Sequence, residues 1–199
     1  YFVVRTDIER WEAKYRKADP KQALQVDPLL QAHSDRLRGD GPALDLAAGA
    51  CHAAVYLAKL GLMVTALDCS ATALSIGRQL AQREGVAITT QQADLDEIPL
   101  LAGPWAVICC LRFLSRDLMM QMAGALKPGG LLVFKTFNVH HLVKAPAFNS
   151  AYLLQPGELE SAFAALEIFD LSDGDDPARA QSWIVARRPG GGTGSTEES

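Results

Sequence analysis

The chain has 199 residues, 49% of them hydrophobic and 21% charged, with a formal net charge of -4. That balance, with lysines and arginines scattered rather than striped, excludes a protein built to grip long nucleic acid. No run of about 18 apolar residues is present to span a membrane.

The opening, YFVVRTDIERW, has no initiator Met and reads as a trimmed start, which leaves a lost leader open. Asp7 to Lys17 then predicts a helix, with Ile8, Trp11 and Tyr15 on one face. That face either packs on the body or folds over a pocket as a lid. Asp19-Pro20 breaks the pattern, and Pro28 to Leu37 predicts a second helix with Pro28 in its first turn. Ala43 to Leu46 is a buried strand, followed at once by the small-residue turn Ala47-Ala48-Gly49-Ala50 and a helix that Gly61 ends. Leu62 to Leu67 is the second strand, and Ser70 caps a helix that runs to about Arg83. Val86 to Gln92 and Trp105 to Leu111 follow as strands. Leu118 to Leu126 is a helix stopped by Lys127-Pro128-Gly129-Gly130, and Leu131 to Phe137 is the fifth strand. Asn138 to Gln155 has no clear period, as functional or mobile loops often do not. A helix from Glu158 to Leu166 and strands at Glu167 to Leu171 and Ser182 to Ala186 close the pattern. We expect one domain over 1–188, with 1–41 as N-terminal helices and 189–199 as a flexible tail.

Alternating strands and helices predict an α/β fold with a largely parallel sheet, which binds ligands in the crevice at its strand C-termini. Asp45, Asp68 and Asp94 stand at the ends of three such strands. Gly49 and Asp68 are 19 residues apart, which suits an acidic residue gripping a ribose diol. A dinucleotide site needs G-x-G-x-x-G, whereas this turn places Ala47, Gly49 and Cys51 two apart, just after Asp45. A carboxylate there repels a pyrophosphate and suits an ammonium, which favours S-adenosyl-L-methionine.

Asp45-Leu46-Ala47-Ala48-Gly49-Ala50-Cys51 resembles the glycine-rich motif of class I S-adenosylmethionine-dependent methyltransferases. Val64 to Ser70, Gln92 to Leu95 and Leu126 to Gly130 resemble that family's later motifs in order and spacing. Trp11-x-x-x-Tyr15, Arg112-Phe113-Leu114-x-Arg116-Asp117-Leu118 and Leu154-Gln155-Pro156-Gly157-Glu158-Leu159 together resemble the tellurite-resistance-type small-molecule members. The resemblance implies a Rossmann-like three-layer sandwich whose seven-stranded sheet is mostly parallel, with the last strand antiparallel. It implies that Asp45 and the backbone at Ala47 and Gly49 hold the methionine end of the cofactor. Asp68 would bind the ribose, Cys69 the adenine face, and Asp94 with Leu95 the adenine edge. Cys110 and Leu111 would border the methyl group, and Trp11 and Tyr15 would cover the pocket. Cys51, where many relatives carry glycine, would add a side chain close to the cofactor.

The four cysteines, Cys51, Cys69, Cys109 and Cys110, form no C-x-x-C pair and offer no zinc site. They fit a reducing cytoplasm, with Cys109 and Cys110 as buried apolar residues. Methyl transfer needs alignment above all, and a base only for a protonated acceptor. His140 and His141 are candidate bases or simply a polar surface pair. Arg112 orients an anionic acceptor or pairs with Asp117. The expected partner is a small-molecule methyl acceptor, acting on a monomer or homodimer. A nucleic-acid methyltransferase lacks its basic stripe here and a nicotinamide oxidoreductase lacks its fingerprint, whereas a non-catalytic cofactor binder stays open because of Cys51.

Overall fold

The structure, a computed structural model, describes residues 2–190, with side chains from residue 7 onward. From residue 191 the expected tail lies outside the described residues. Seven strands form one sheet in the order β3-β2-β1-β4-β5-β7-β6. These are β1 (Pro42–Leu46), β2 (Met63–Asp68), β3 (Thr89–Gln92), β4 (Trp105–Leu111), β5 (Leu126–Phe137), β6 (Glu167–Ser172) and β7 (Gln181–Arg187). The first five pair in parallel, and β7 lies antiparallel between β5 and β6. The expected sheet is therefore present, its one antiparallel strand being the last in sequence.

Alternation along each strand divides the core into two layers. Ala43, Val64, Ala66, Val107, Cys109 and Val133 face α4 (His52–Lys59) and the short α2 (Pro28–Ala32) and α3 (Ser34–Leu37). Leu44, Leu46, Ile108, Cys110, Leu132 and Phe134 face α6 (Arg116–Ala125) and α7 (Glu158–Ala162). Cys109 and Cys110 are both fully buried, one in each layer.

Local chemistry sets most boundaries. Ser70 Oγ accepts the Ala73 N–H and so starts α5 (Ala71–Arg83). Gly85, with φ of 71°, lets the chain turn away after it. Several expectations need correction. The helix expected over Pro28 to Leu37 breaks at His33 into α2 and α3, because the His33 ring is drawn to Asp170 Oδ2 at 2.9 Å. The third strand is shorter than expected, since Val86 and Ile88 pack beside α5 instead of pairing with β2. Strand β5 starts earlier, at Leu126, which pairs with Trp105 before a register shift. Its Gly129 N–H donates to the Arg188 carbonyl at 2.8 Å, so the turn residues are stitched to the chain beyond β7. Asn138 to Gln155 holds two short 3-10 helices, Val139–Val143 and Ser150–Tyr152.

Helix α1 (Phe2–Arg16) lies across the C-terminal ends of the parallel strands. Glu12 Oε2 accepts the Ser70 hydroxyl at 2.6 Å and the Thr72 N–H at 3.3 Å, and Oε1 accepts the Thr72 hydroxyl.

Candidate cofactor and acceptor site

The turn after β1 alternates between ordinary and left-handed backbone. Ala47, Gly49 and Cys51 have φ of 53°, 55° and 60°. Two of these are not glycine, and a left-handed residue with a side chain costs about 1–2 kcal/mol. The turn is held by its neighbours. Ala48 N–H donates to the Leu67 carbonyl at 2.9 Å, Gly49 N–H to Asp68 Oδ2 at 2.7 Å, and Ala54 N–H to Asp45 Oδ2 at 2.9 Å. Asp68 Oδ1 also takes the Ser70 N–H at 2.8 Å.

Cys51 does not extend toward the crevice. Its side chain is buried against α5, and a Cβ built on Gly77 would collide with the Cys51 sulfur. The missing side chain at residue 77 is the socket for this thiol.

Beside the turn lies a cleft of about 370 Å³, lined by Asp45, Ala47, Ala48, Ala50, His52, Leu111, Arg112, Lys14 and Tyr15 among others. Asp45 is 1% exposed. Burial raises its pKa to about 7; the Ala54 N–H opposes that rise, the nearby Asp68 adds to it and Arg112 opposes it. Asp68 is raised by burial against the pull of its two backbone N–H partners. Tyr15, over Gly49, has its pKa pushed to about 12 by burial and by Asp68. His52 Nδ1 accepts the Gln25 N–H at 3.0 Å, so its neutral ring carries the proton on Nε2, and burial lowers its pKa. Lys14 and Arg112 both reach this cleft, and neither has a carboxylate within salt-bridge distance among the described residues. Burial and the charge of Arg112 lower the Lys14 pKa. Arg112 itself has φ of 62°, held by its N–H donating to the Lys135 carbonyl at 2.7 Å.

The other expected residues fall in distinct places. Cys69 and Asp94 flank the ends of β2 and β3, joined by Ala93 N–H to the Asp68 carbonyl at 3.0 Å. Burial and Asp68 push the Cys69 thiol to about 12, so it is neutral. Leu95 is buried in the α6 layer. Leu111 borders the cleft, whereas Cys110 faces the opposite layer, its thiol toward the Phe113 carbonyl. Trp11 stacks near Tyr15 with ring centroids 6.4 Å apart. His140 is not brought to the cleft: its Nε2 lies 2.9 Å from the Gly174 carbonyl. His141 stacks on Phe137 at 4.2 Å. Arg112 does not pair with Asp117; the neighbouring Arg116 instead grips Glu158 at 2.7 and 3.0 Å and the carbonyls of Ala151 and Leu153. His52 follows the turn residues directly in sequence and lines the cleft, whereas Lys14, Gln25, Asp27 and Lys135 carry no motif signal and only the fold gathers them. The Asp27–Lys135 ion pair at 3.0 Å braces the cleft wall.

This donor set fits S-adenosylmethionine. A buried carboxylate on the cleft wall suits an ammonium, and a second acidic side chain stands 19 residues beyond the left-handed turn. The family described as "Methyltransferase domain" matches residues 43–130. The chain is 30% identical over 133 residues to the "Ubiquinone biosynthesis O-methyltransferase" of Histophilus somni, covering 60% of this chain and 56% of that protein. The Colwellia psychrerythraea protein of the same name is 30% identical over 124 residues, covering 58% and 48%. The chain thus spans about half the length of these curated relatives. Among solved structures, TehB from Haemophilus influenzae superposes with a TM-score of 0.71 at 17% identity, covering 89% of this chain and 67% of that one. Magnesium protoporphyrin IX methyltransferase from Synechocystis PCC 6803, solved with bound SAH, gives 0.61 at 16%, covering 92% and 94%. These matches place a methyltransferase domain over residues 43–130, on a sheet whose fold is shared with solved S-adenosylmethionine-dependent methyltransferases.

Proposed function

We propose that the protein transfers a methyl group from S-adenosylmethionine to a small anionic acceptor, an oxyanion or an ionised thiol or phenol. One observation carries the acceptor class: Lys14 and Arg112 stand on the cleft without carboxylate partners among the described residues, beside the turn read as the cofactor site. Two neighbouring cations repel each other, and an anion between them relieves that repulsion. The cofactor supplies a methyl already activated on a sulfonium. Asp45 holds the ammonium, Asp68 the ribose, and Cys69, Asp94 and Leu95 flank the adenine, while α1 with Trp11 and Tyr15 closes over them. Arg112 orients the acceptor and Leu111 bounds the methyl side. An anionic acceptor needs no base. His52, with Nδ1 occupied, serves as a donor, and His140, on the Gly174 carbonyl, has a structural place.

Cys51, turned into the Gly77 socket, gives no support to the reading as a non-catalytic binder. Four free thiols among the described residues favour a cytoplasmic protein, acting as a monomer or homodimer. No helix among the described residues is long and apolar enough to cross a membrane.

Thermal melting with S-adenosylmethionine, S-adenosylhomocysteine and NAD tests the cofactor. A ligand at 100 times its dissociation constant adds about 2.7 kcal/mol. Stabilisation by NAD and by neither adenosyl ligand sinks the proposal. Turnover against oxyanions, thiols, phenols and neutral amines then tests the acceptor, with preferred methylation of a neutral amine counting against it.

A further inference from the structure

Two parts of the cofactor site are covered while α1 lies where it does. The surface of Gly49 is occupied, since a Cβ built there would collide with the Tyr15 hydroxyl. Asp68 is 7% exposed, with both oxygens already accepting backbone N–H groups and Tyr15 beside it. An adenosyl ligand approaching Gly49 and Asp68 therefore has to displace Tyr15.

What holds Tyr15 down is Glu12, one turn earlier on α1. Its carboxylate takes two hydroxyls and one backbone N–H from the first turn of α5, from Ser70 and Thr72. Ser70 is also the cap of α5 and lies two residues past Asp68, so the clip sits against the cofactor motif itself. Tyr152, in the Ser150–Tyr152 turn, lies near enough to Asp7 on the same helix for that carboxylate, after burial, to raise its pKa. Trp11, on the same helix, is 36% exposed, with the Lys14 ammonium 4.3 Å over its ring.

We propose that Glu12 is the positioning residue of a gate: it clips α1 to the first turn of α5, keeps Tyr15 on Gly49, and makes release of that clip the step that admits and frees the cofactor. The inference rests on reading the turn after β1 as the cofactor site. Glu12 touches neither reactant and acts through Tyr15. Removing the clip then speeds entry and exit together. Losing a residue that only adds affinity speeds exit alone.

The test uses the full chain and S-adenosylhomocysteine as probe. Stopped-flow binding is followed by Trp11 fluorescence, with Trp11→Phe identifying the signal. Glu12→Ala is expected to raise the association and dissociation rate constants each by roughly tenfold, the scale of one charge-assisted hydrogen bond. Thr72→Val moves both rates in the same direction, and Glu12→Gln, which keeps an acceptor, restores most of the slow behaviour. An unchanged association rate in Glu12→Ala overturns the gate, whatever happens to dissociation. Hydrogen exchange without ligand supplies the second readout. Amides of residues 8–16 exchange faster in Glu12→Ala while the later turns of α5 do not; equal protection of α1 in both proteins also overturns the proposal. Absence of any binding by the parent protein refutes the cofactor reading instead, and the exchange result still decides whether Glu12 holds α1.

Discussion

Cys51 and Gly77 are a complementary pair: the thiol of one occupies the space that any side chain on the other would need. Glycine inside a helix costs about 1 kcal/mol against alanine. The structure retains it because β-carbon at 77 would stand 2.6 Å from the Cys51 β-carbon, closer than packed atoms allow. Gly77→Ala is therefore expected to destabilise the protein by about 1–3 kcal/mol despite better helix propensity. Cys51→Gly/Gly77→Ala should recover most of that loss, because the vacated socket receives the new methyl. Urea unfolding of the two singles and the double checks this, and additivity of the singles would refute the pairing.

Asp45 makes stability depend on pH in a definite direction. Its folded pKa is about 7, well above its ordinary value of 3.8, so the folded state binds the proton more tightly. Its contribution to stability is thus full below pH 4 and is lost as pH rises toward 7. Asp45→Asn, which keeps an oxygen for the Ala54 N–H, should be more stable than the parent at pH 8, with the difference shrinking toward pH 4. In the parent, affinity for S-adenosylhomocysteine should fall as pH drops below 7, and in the variant it should be weak and flat. Unfolding and calorimetry across pH 4.5 to 8.5 measure both.

Asp68 has a structural duty alongside its proposed ribose contact. Asp68→Ala orphans the Gly49 and Ser70 N–H groups, at about 1–3 kcal/mol for each donor left buried. A lower melting temperature and loss of the S-adenosylhomocysteine shift are expected together. An intact ligand shift in a destabilised variant would show that the ribose is held elsewhere.

Arg112→Ala should lower kcat/KM for an anionic acceptor by about tenfold or more while leaving cofactor affinity within a factor of about two. Lys14→Ala should act in the same direction and more weakly. Added salt should raise KM for the parent and have less effect on the variants. Steady-state kinetics at two ionic strengths distinguishes this from general damage to the site.

Arg116 uses its whole guanidinium on the 150–158 segment, so Arg116→Lys should not substitute for it. Amide exchange at 150–158 is expected to quicken by roughly tenfold in either Arg116→Lys or Arg116→Ala, with β4 unaffected.

The elements most legible in the sequence were those whose causes are local. Trp105 to Leu111 is a strand throughout because every residue is apolar and both faces are covered. Ser70 and Gly85 bracket α5 through a cap and a left-handed stop. The small-residue turn after β1 is legible in the sequence, but its left-handed backbone and the direction of Cys51 are not, because Gly77 reads in isolation as an ordinary weak spot in a helix. The resemblance of two separate motifs around Arg116 and Glu158 finds its cause in three dimensions, as the two side chains grip each other. Lys14 and Asp27 carry no signal, since their value depends on which strand ends meet.

The break at His33 bears on how the molecule is made. The His33–Asp170 contact joins residues 137 apart, and Asp27–Lys135 joins residues 108 apart. During synthesis, α2 and α3 cannot complete their anchoring until Lys135 on β5 and Asp170 on β6 have emerged. Pulse-labelled exchange during refolding should find the amides around Leu29, Leu30 and Leu37 protected in the slowest phase, after those of β1, β2 and β4. A cleft wall that depends on Asp27 is then among the last parts to form, and a partly folded chain holds an open, incomplete site.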